Sequence, residues 1–150
     1  MSHSLLRATL ALALAALTAC DNGTATASRS ADPGFAGHWT SPQWGEHYIL
    51  VDGTTIKVVY THDNGRVLGT LDGTKITGWW TETPSRQPTA DAGEVTFTLV
   101  GTGNQRTIDG VWSYGTGQKR ENWDLTYVDA TIPDTVKAQF DDGTGFSSHP

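Results

Sequence analysis

Residues 52–82 read DGTTIKVVYTHDNGRVLGTLDGTKITGWWTE, and this stretch decides the fold. The turn dipeptides Asp52-Gly53, Asn64-Gly65 and Asp72-Gly73 cut it at short intervals. Asp-Gly and Asn-Gly supply the positive φ values of type I′ hairpin turns. The runs between them are rich in Val, Ile, Thr, Tyr and Trp, residues that suit a pleated surface. Their apolar side chains recur every second residue. Ile56, Val58 and Tyr60 share one face, and Lys57 and Thr61 share the other. Ile76, Gly78 and Trp80 oppose Lys75, Thr77 and Thr81. Alternation of this kind marks strands with one buried face.

The same pattern continues on both sides, with further turns at Gly101-Thr102-Gly103 and Gly115-Thr116-Gly117. About eight strands are expected. They are Gly37–Ser41, His47–Val51, Thr55–Thr61, Arg66–Leu71, Lys75–Glu82, Glu94–Val100, Thr107–Tyr114 and Glu121–Val128. Val95, Phe97 and Leu99 form an apolar face, as do Ile108, Gly110, Trp112 and Tyr114, and then Trp123, Leu125 and Tyr127. No segment of helical period interrupts the hairpins. The expected fold class is all-β, a single antiparallel up-and-down barrel, because closure removes exposed edges. Glycine precedes a large inward residue by two at Gly37/Trp39, Gly69/Leu71, Gly78/Trp80 and Gly110/Trp112, which leaves room for a neighbour's ring.

The Gly-x-Trp start, the meander and the late tryptophans resemble the avidin/streptavidin class of eight-stranded barrels and, more loosely, lipocalins. That resemblance implies a ligand pocket at one barrel end, with Tyr60, Trp80, Trp112 and Trp123 near its aromatic positions. Thr40-Ser41-Pro42-Gln43 departs from the family's early polar pair, and Val95–Leu99 lacks its tryptophan, so biotin is not implied.

The N-terminus carries a different signal. Arg7 precedes an Ala/Leu run, Ala8 to Leu17, that is too short to span a bilayer. Leu17-Thr18-Ala19-Cys20 follows, and Cys20 is the single cysteine of the chain. The tetrapeptide resembles a bacterial lipobox. It implies cleavage before Cys20, diacylglycerol on its sulfur, and an anchored rather than membrane-spanning protein. Residues 1–19 are then a signal peptide, and 20–36 a lipidated tether whose Ala/Ser/Thr/Asn/Gly composition predicts disorder. The barrel domain spans 37–129. The tail, 130–150, has a short helix around Pro133–Phe140, expected to cap a barrel end through Val136 and Phe140, and then ten residues expected to be disordered.

A mature chain without cysteine has no disulfide, so its core must suffice. The net charge is −6, and loss of Arg7 with the signal leaves −7. An acidic domain does not suit nucleic acid and repels anionic lipid, so the membrane is expected as a partner only through the acyl anchor.

Trp39, Trp80, Trp112 and Trp123 point inward, where they either fill a narrow barrel or line a pocket. Trp79 falls on the outer face and Trp44 in a loop, where an exposed tryptophan can stack on a glycan or anchor a protein. Arg86, in the long Thr83–Ala92 loop, is placed to meet an anionic ligand. Glu46 and Glu82 are expected on a solvated rim. His47, His62 and Asp63 have no ligand spacing, so no metal is expected, nor any cofactor. No nucleophile elbow, phosphate loop or zinc pattern occurs. The expected function is a non-catalytic binding barrel for a small apolar or amphipathic molecule, or for a glycan or protein on the Trp79 face. The alternative is a structural or interaction lipoprotein with a filled barrel and an envelope-protein partner. A hydrolase using rim carboxylates stands last.

Overall fold

The computed structural model describes residues 32–148. The expected signal peptide, Cys20 and most of the expected tether lie outside the described residues.

The described residues form nine strands and one α-helix: β1 Gly37–Ser41, β2 Gly45–Asp52, β3 Thr55–Tyr60, β4 Gly65–Asp72, β5 Lys75–Thr81, β6 Ala92–Val100, β7 Thr107–Trp112, β8 Glu121–Asn122, β9 Leu125–Asp129 and α1 Asp134–Asp142. Neighbours from β1 to β7 pair antiparallel in chain order. β9 pairs with both β1 and β7, which closes the sheet into a barrel. β8 and β9 together occupy the eighth position, so the meander expected from the alternation is present.

The eighth strand is broken where the sequence suggested a continuous run from Glu121. The Trp123 amide donates to the carbonyl of Gly110 at 2.8 Å, and the Gly110 amide donates to the Asp124 carboxylate at 3.2 Å. A Cβ on Gly110 would lie 2.0 Å from the Trp123 carbonyl oxygen, so the two backbones approach this closely only because residue 110 is glycine.

The two-residue hairpin turns differ in type from expectation. Asp52 pairs with Thr55 and Asp72 with Lys75, so Gly53 and Gly73 take the first central position, at φ 62 and 57. Positive φ there is the type II′ arrangement. At the third turn Asp63 and Asn64 carry the positive φ, 41 and 51, within a 3-10 turn, His62–Asn64. Gly65 itself is extended. It is small because the Tyr60 ring lies 2.0 Å from where its Cβ would be.

The inward face is apolar and dense. Phe35, Trp39, Ile49, Ile56, Val58, Tyr60, Phe97 and Trp123 are each at most 1 % exposed. Aromatic side chains bury about 150–250 Å² each, so these rings dominate the barrel's hydrophobic stabilisation. Phe35 belongs to the segment expected as disordered tether. Instead it joins the core, and its carbonyl accepts from the Trp39 indole at 2.8 Å. The Asp32 carboxylate fixes the turn by accepting from the amides of Gly34, Phe35 and Ala36. Arg106 closes the same end. It donates to the Gly34 carbonyl at 2.7 Å and lies over the Trp39 and Tyr127 rings.

The helix does not cap a barrel end. α1 lies along the outer wall of β3, and Val136 and Phe140 pack with Val59 in a second small core. The tail continues past it in order. Phe146 packs on Phe140, Gly145 accepts from the Thr81 hydroxyl at 2.6 Å, and Lys57 donates to the Phe140 carbonyl at 2.8 Å. Outward Val59 explains the placement, since it would otherwise expose an apolar patch beside Tyr48. Among the described residues no helix is long and apolar enough to cross a membrane.

Candidate functional site

The two barrel ends differ. Phe35 and Arg106 close one. At the other, β3, β5 and β7 end, and their last large side chains, Tyr60, Trp80 and Trp112, stand beneath the loops. Period-two alternation turns those three to the inward face. The break after β8 adds Trp123 from beside β7.

The deep interior is filled. Trp123 packs edge-on against Tyr60 at 5.0 Å and Phe97 at 5.5 Å between centroids, and His47 stacks on Tyr60 at 5.1 Å. His47 is completely buried. Its Nδ1 donates to the Gly45 carbonyl at 2.9 Å, and its Nε2 accepts from the Trp123 indole at 3.0 Å. That pair of contacts requires the neutral ring with the proton on Nδ1. Burial lowers the His47 pKa to about 4.

A cavity of about 240 Å³ opens above this layer. Its lining combines Trp44, Trp80, Trp112, Trp123 and Tyr114 with the polar groups of His62, Asp63, Glu82 and Asp91. Two neighbouring cavities, of about 290 and 520 Å³, also reach Trp112, and the larger also reaches Trp44. Trp44 comes from the β1–β2 turn and folds over the mouth. Its ring meets Trp112 at 5.5 Å, Trp123 at 5.4 Å and His62 at 5.0 Å.

The indole donors in this cluster are unequally satisfied. Trp80 donates to the Ser113 carbonyl at 3.1 Å and Trp123 to His47. The N–H groups of Trp44 and Trp112 are buried with no acceptor. A buried donor left unpaired costs about 1–3 kcal/mol, and such groups in native proteins are few.

The carboxylates are held in place. Glu82 is buried rather than on a solvated rim, and Tyr60 donates to its Oε1 at 2.8 Å. Burial raises the Glu82 pKa, and burial together with the Glu82 charge pushes the Tyr60 hydroxyl well above its ordinary value. Asp91 accepts from the hydroxyl and amide of Ser85, which keep its carboxyl below the usual range. The Asp63 carbonyl accepts from both the amide and the hydroxyl of Thr83, at 2.9 and 2.8 Å, which ties the His62–Asp63 turn to the Glu82 loop. As a result the donor atoms of His62, Asp63 and Glu82 lie within 4.8 Å of one another. One imidazole and two carboxylates form a donor set of the kind divalent first-row metals accept.

The expected site residues therefore separate. Trp80, Trp112 and Trp123 line the mouth cavity. Tyr60 lies below it and positions Glu82. Glu46 is on the outer face, where it accepts from Thr40 and pairs with His38. Trp79 is on the outer face but buried, not exposed; Leu68 across the strand pair and Ser148 of the tail line the same outer groove of about 410 Å³. Arg86 is not presented to an anion. Its guanidinium donates to the carbonyl and hydroxyl of Thr81 and to the Asn64 carbonyl, and Gly145 packs against it. Tyr114 is beyond the end of β7 and stands at the rim, largely exposed, against Trp80 and Trp112.

Two members, Trp44 and Glu82, were expected at other places than the mouth. Trp44 follows Pro42 in a turn, and turns are read as outside. Glu82 lies one residue past β5, and its partner Tyr60 is 22 residues earlier. Only barrel closure shows that both ends meet. No protein-family model, no curated protein and no solved structure matches this chain.

Proposed function

We propose that the chain is an extracytoplasmic lipoprotein, anchored through Cys20, whose barrel mouth binds a small amphipathic molecule without transforming it. The observation that carries the binding reading is the cavity walled by four indoles, two of which have buried N–H groups without an acceptor. A ligand oxygen seated there would satisfy a donor that the protein leaves unpaired, while its apolar part covers the rings. The filled barrel below favours a shallow ligand. It also keeps in view the alternative of an interaction lipoprotein whose barrel is only a scaffold.

Benzyl alcohol is a suitable neutral probe, since it pairs one ring with one oxygen. It is expected to change the tryptophan emission of the full chain saturably. Trp44→Ala, which removes one wall, is expected to weaken it by about tenfold, equivalent to about 1.4 kcal/mol. Unsaturable quenching, or equal affinity in the variant, would count against a site at the mouth.

The anchor is tested separately. Wild-type chain is expected in the membrane fraction with an acyl label, whereas Cys20→Ala is expected unlabelled and either released or unprocessed. A wild-type chain that takes no acyl label would remove the anchor from the proposal.

A further inference from the structure

The charge of the mouth identifies the class of ligand. Among the residues lining the cavity, three are carboxylates, Asp63, Glu82 and Asp91, and none is lysine or arginine. The Arg86 guanidinium, on the loop that carries Asp91, is committed to Thr81 and Asn64. The same cavity is lined by Trp44, Trp112 and Tyr114. Aromatic ring faces carry negative quadrupole charge, which attracts a cation lying over them. Aromatic rings and anionic groups lining one cavity therefore disfavour anions and favour a weakly hydrated cation.

We propose that the mouth ligand is an organic cation, an amphipathic amine or quaternary ammonium, held between the indole wall and the carboxylates of Asp63, Glu82 and Asp91. The proposal rests on the mouth being a small-molecule site and adds the ligand's charge to it. A cavity of about 240 Å³ fits a trimethylammonium head with a short apolar tail, and the adjoining space past Trp112 gives the tail an exit. Quaternary ammonium suits the site better than a compact hydrated ion because it gives up little hydration to touch the rings.

The test compares benzyltrimethylammonium with benzyl alcohol on the full chain by calorimetry, with EDTA present. The cation is expected to bind about tenfold tighter, within the range that cation–π contact plus a nearby carboxylate supplies. In the double variant Asp63→Asn, Glu82→Gln the ratio of the two affinities is expected to fall to about one. Both substitutions keep the local structure. Asparagine tolerates the positive φ of residue 63, and glutamine can accept from Tyr60 as glutamate does. Equal affinity for the two probes in the wild-type chain would overturn the cation proposal and leave the neutral site standing. A preference that survives the double variant would overturn it as well. So would zinc ion, titrated without EDTA, occupying His62, Asp63 and Glu82 while the ammonium fails to bind. Failure of both organic probes would instead remove the small-molecule site itself.

Discussion

Trp123→Ala is expected to destabilise the barrel by about 3–5 kcal/mol, as large-to-small changes of buried tryptophan do. The ring stands at the centre of the structure. It touches Trp44, His47, Tyr60, Trp80 and Phe97 and is 1 % exposed. Its removal leaves a cavity that cannot collapse, because the surrounding rings belong to different strands whose register is fixed by pairing. It also leaves the Nε2 of His47 buried without a donor. Small domains have about 5–15 kcal/mol in total, so the loss is a large fraction of stability. Chemical denaturation of the full chain checks this. A midpoint corresponding to less than about 1 kcal/mol of loss would show that Trp123 does not organise the core.

Acid is expected to weaken the fold through His47 by about 3 kcal/mol in all. The sign follows from proton counts. The unfolded ring titrates at its ordinary 6.5 and the buried ring at about 4, so between these values the unfolded chain binds more protons. Stability is complete above pH 6.5, falls as the pH drops through the window, and has lost the full amount below about pH 4. Protonation would place an Nε2–H against the Trp123 N–H, so the folded state resists it. Glu82 acts in the opposite sense. Its raised pKa stabilises the fold at low pH and loses that contribution as pH rises, which shallows the net slope. His47→Gln keeps an acceptor for Trp123 and does not titrate. The stability of wild type relative to His47→Gln is expected to fall by about 3 kcal/mol between pH 7 and pH 4, read from denaturation midpoints. Parallel curves would show that His47 is not the titrating group.

The alternation in residues 52–82 and in the strands on either side carried the barrel and its inward tryptophans, because period-two patterning is a local property of the backbone. Three features depend on long-range contact and were not legible there. The break at Trp123 follows from the approach of Gly110, and neither segment alone reveals it. Phe35 belongs to a stretch whose composition reads as tether, yet one phenylalanine and one Asp32 turn bring it into the core. Trp79 alternates to the outside as expected, but whether an outer residue is covered depends on the path of the tail. The mouth was legible only in part. Trp80, Trp112 and Trp123 followed from register. Trp44 and Glu82 lie in connecting segments, where side-chain direction is set by the neighbours that closure brings together rather than by periodicity.

The central claim is that the barrel mouth, and not the outer Trp79 face, is the binding site. Indole ¹H–¹⁵N spectra of the full chain, assigned by single Trp→Phe variants and recorded with increasing benzyltrimethylammonium, test it most directly. The Trp44 and Trp112 signals are expected to move together with one saturation curve, while the Trp39 signal, hydrogen-bonded to Phe35 at the closed end, stays in place. Unmoved Trp44 and Trp112 signals, or a response confined to Trp79, would contradict the account.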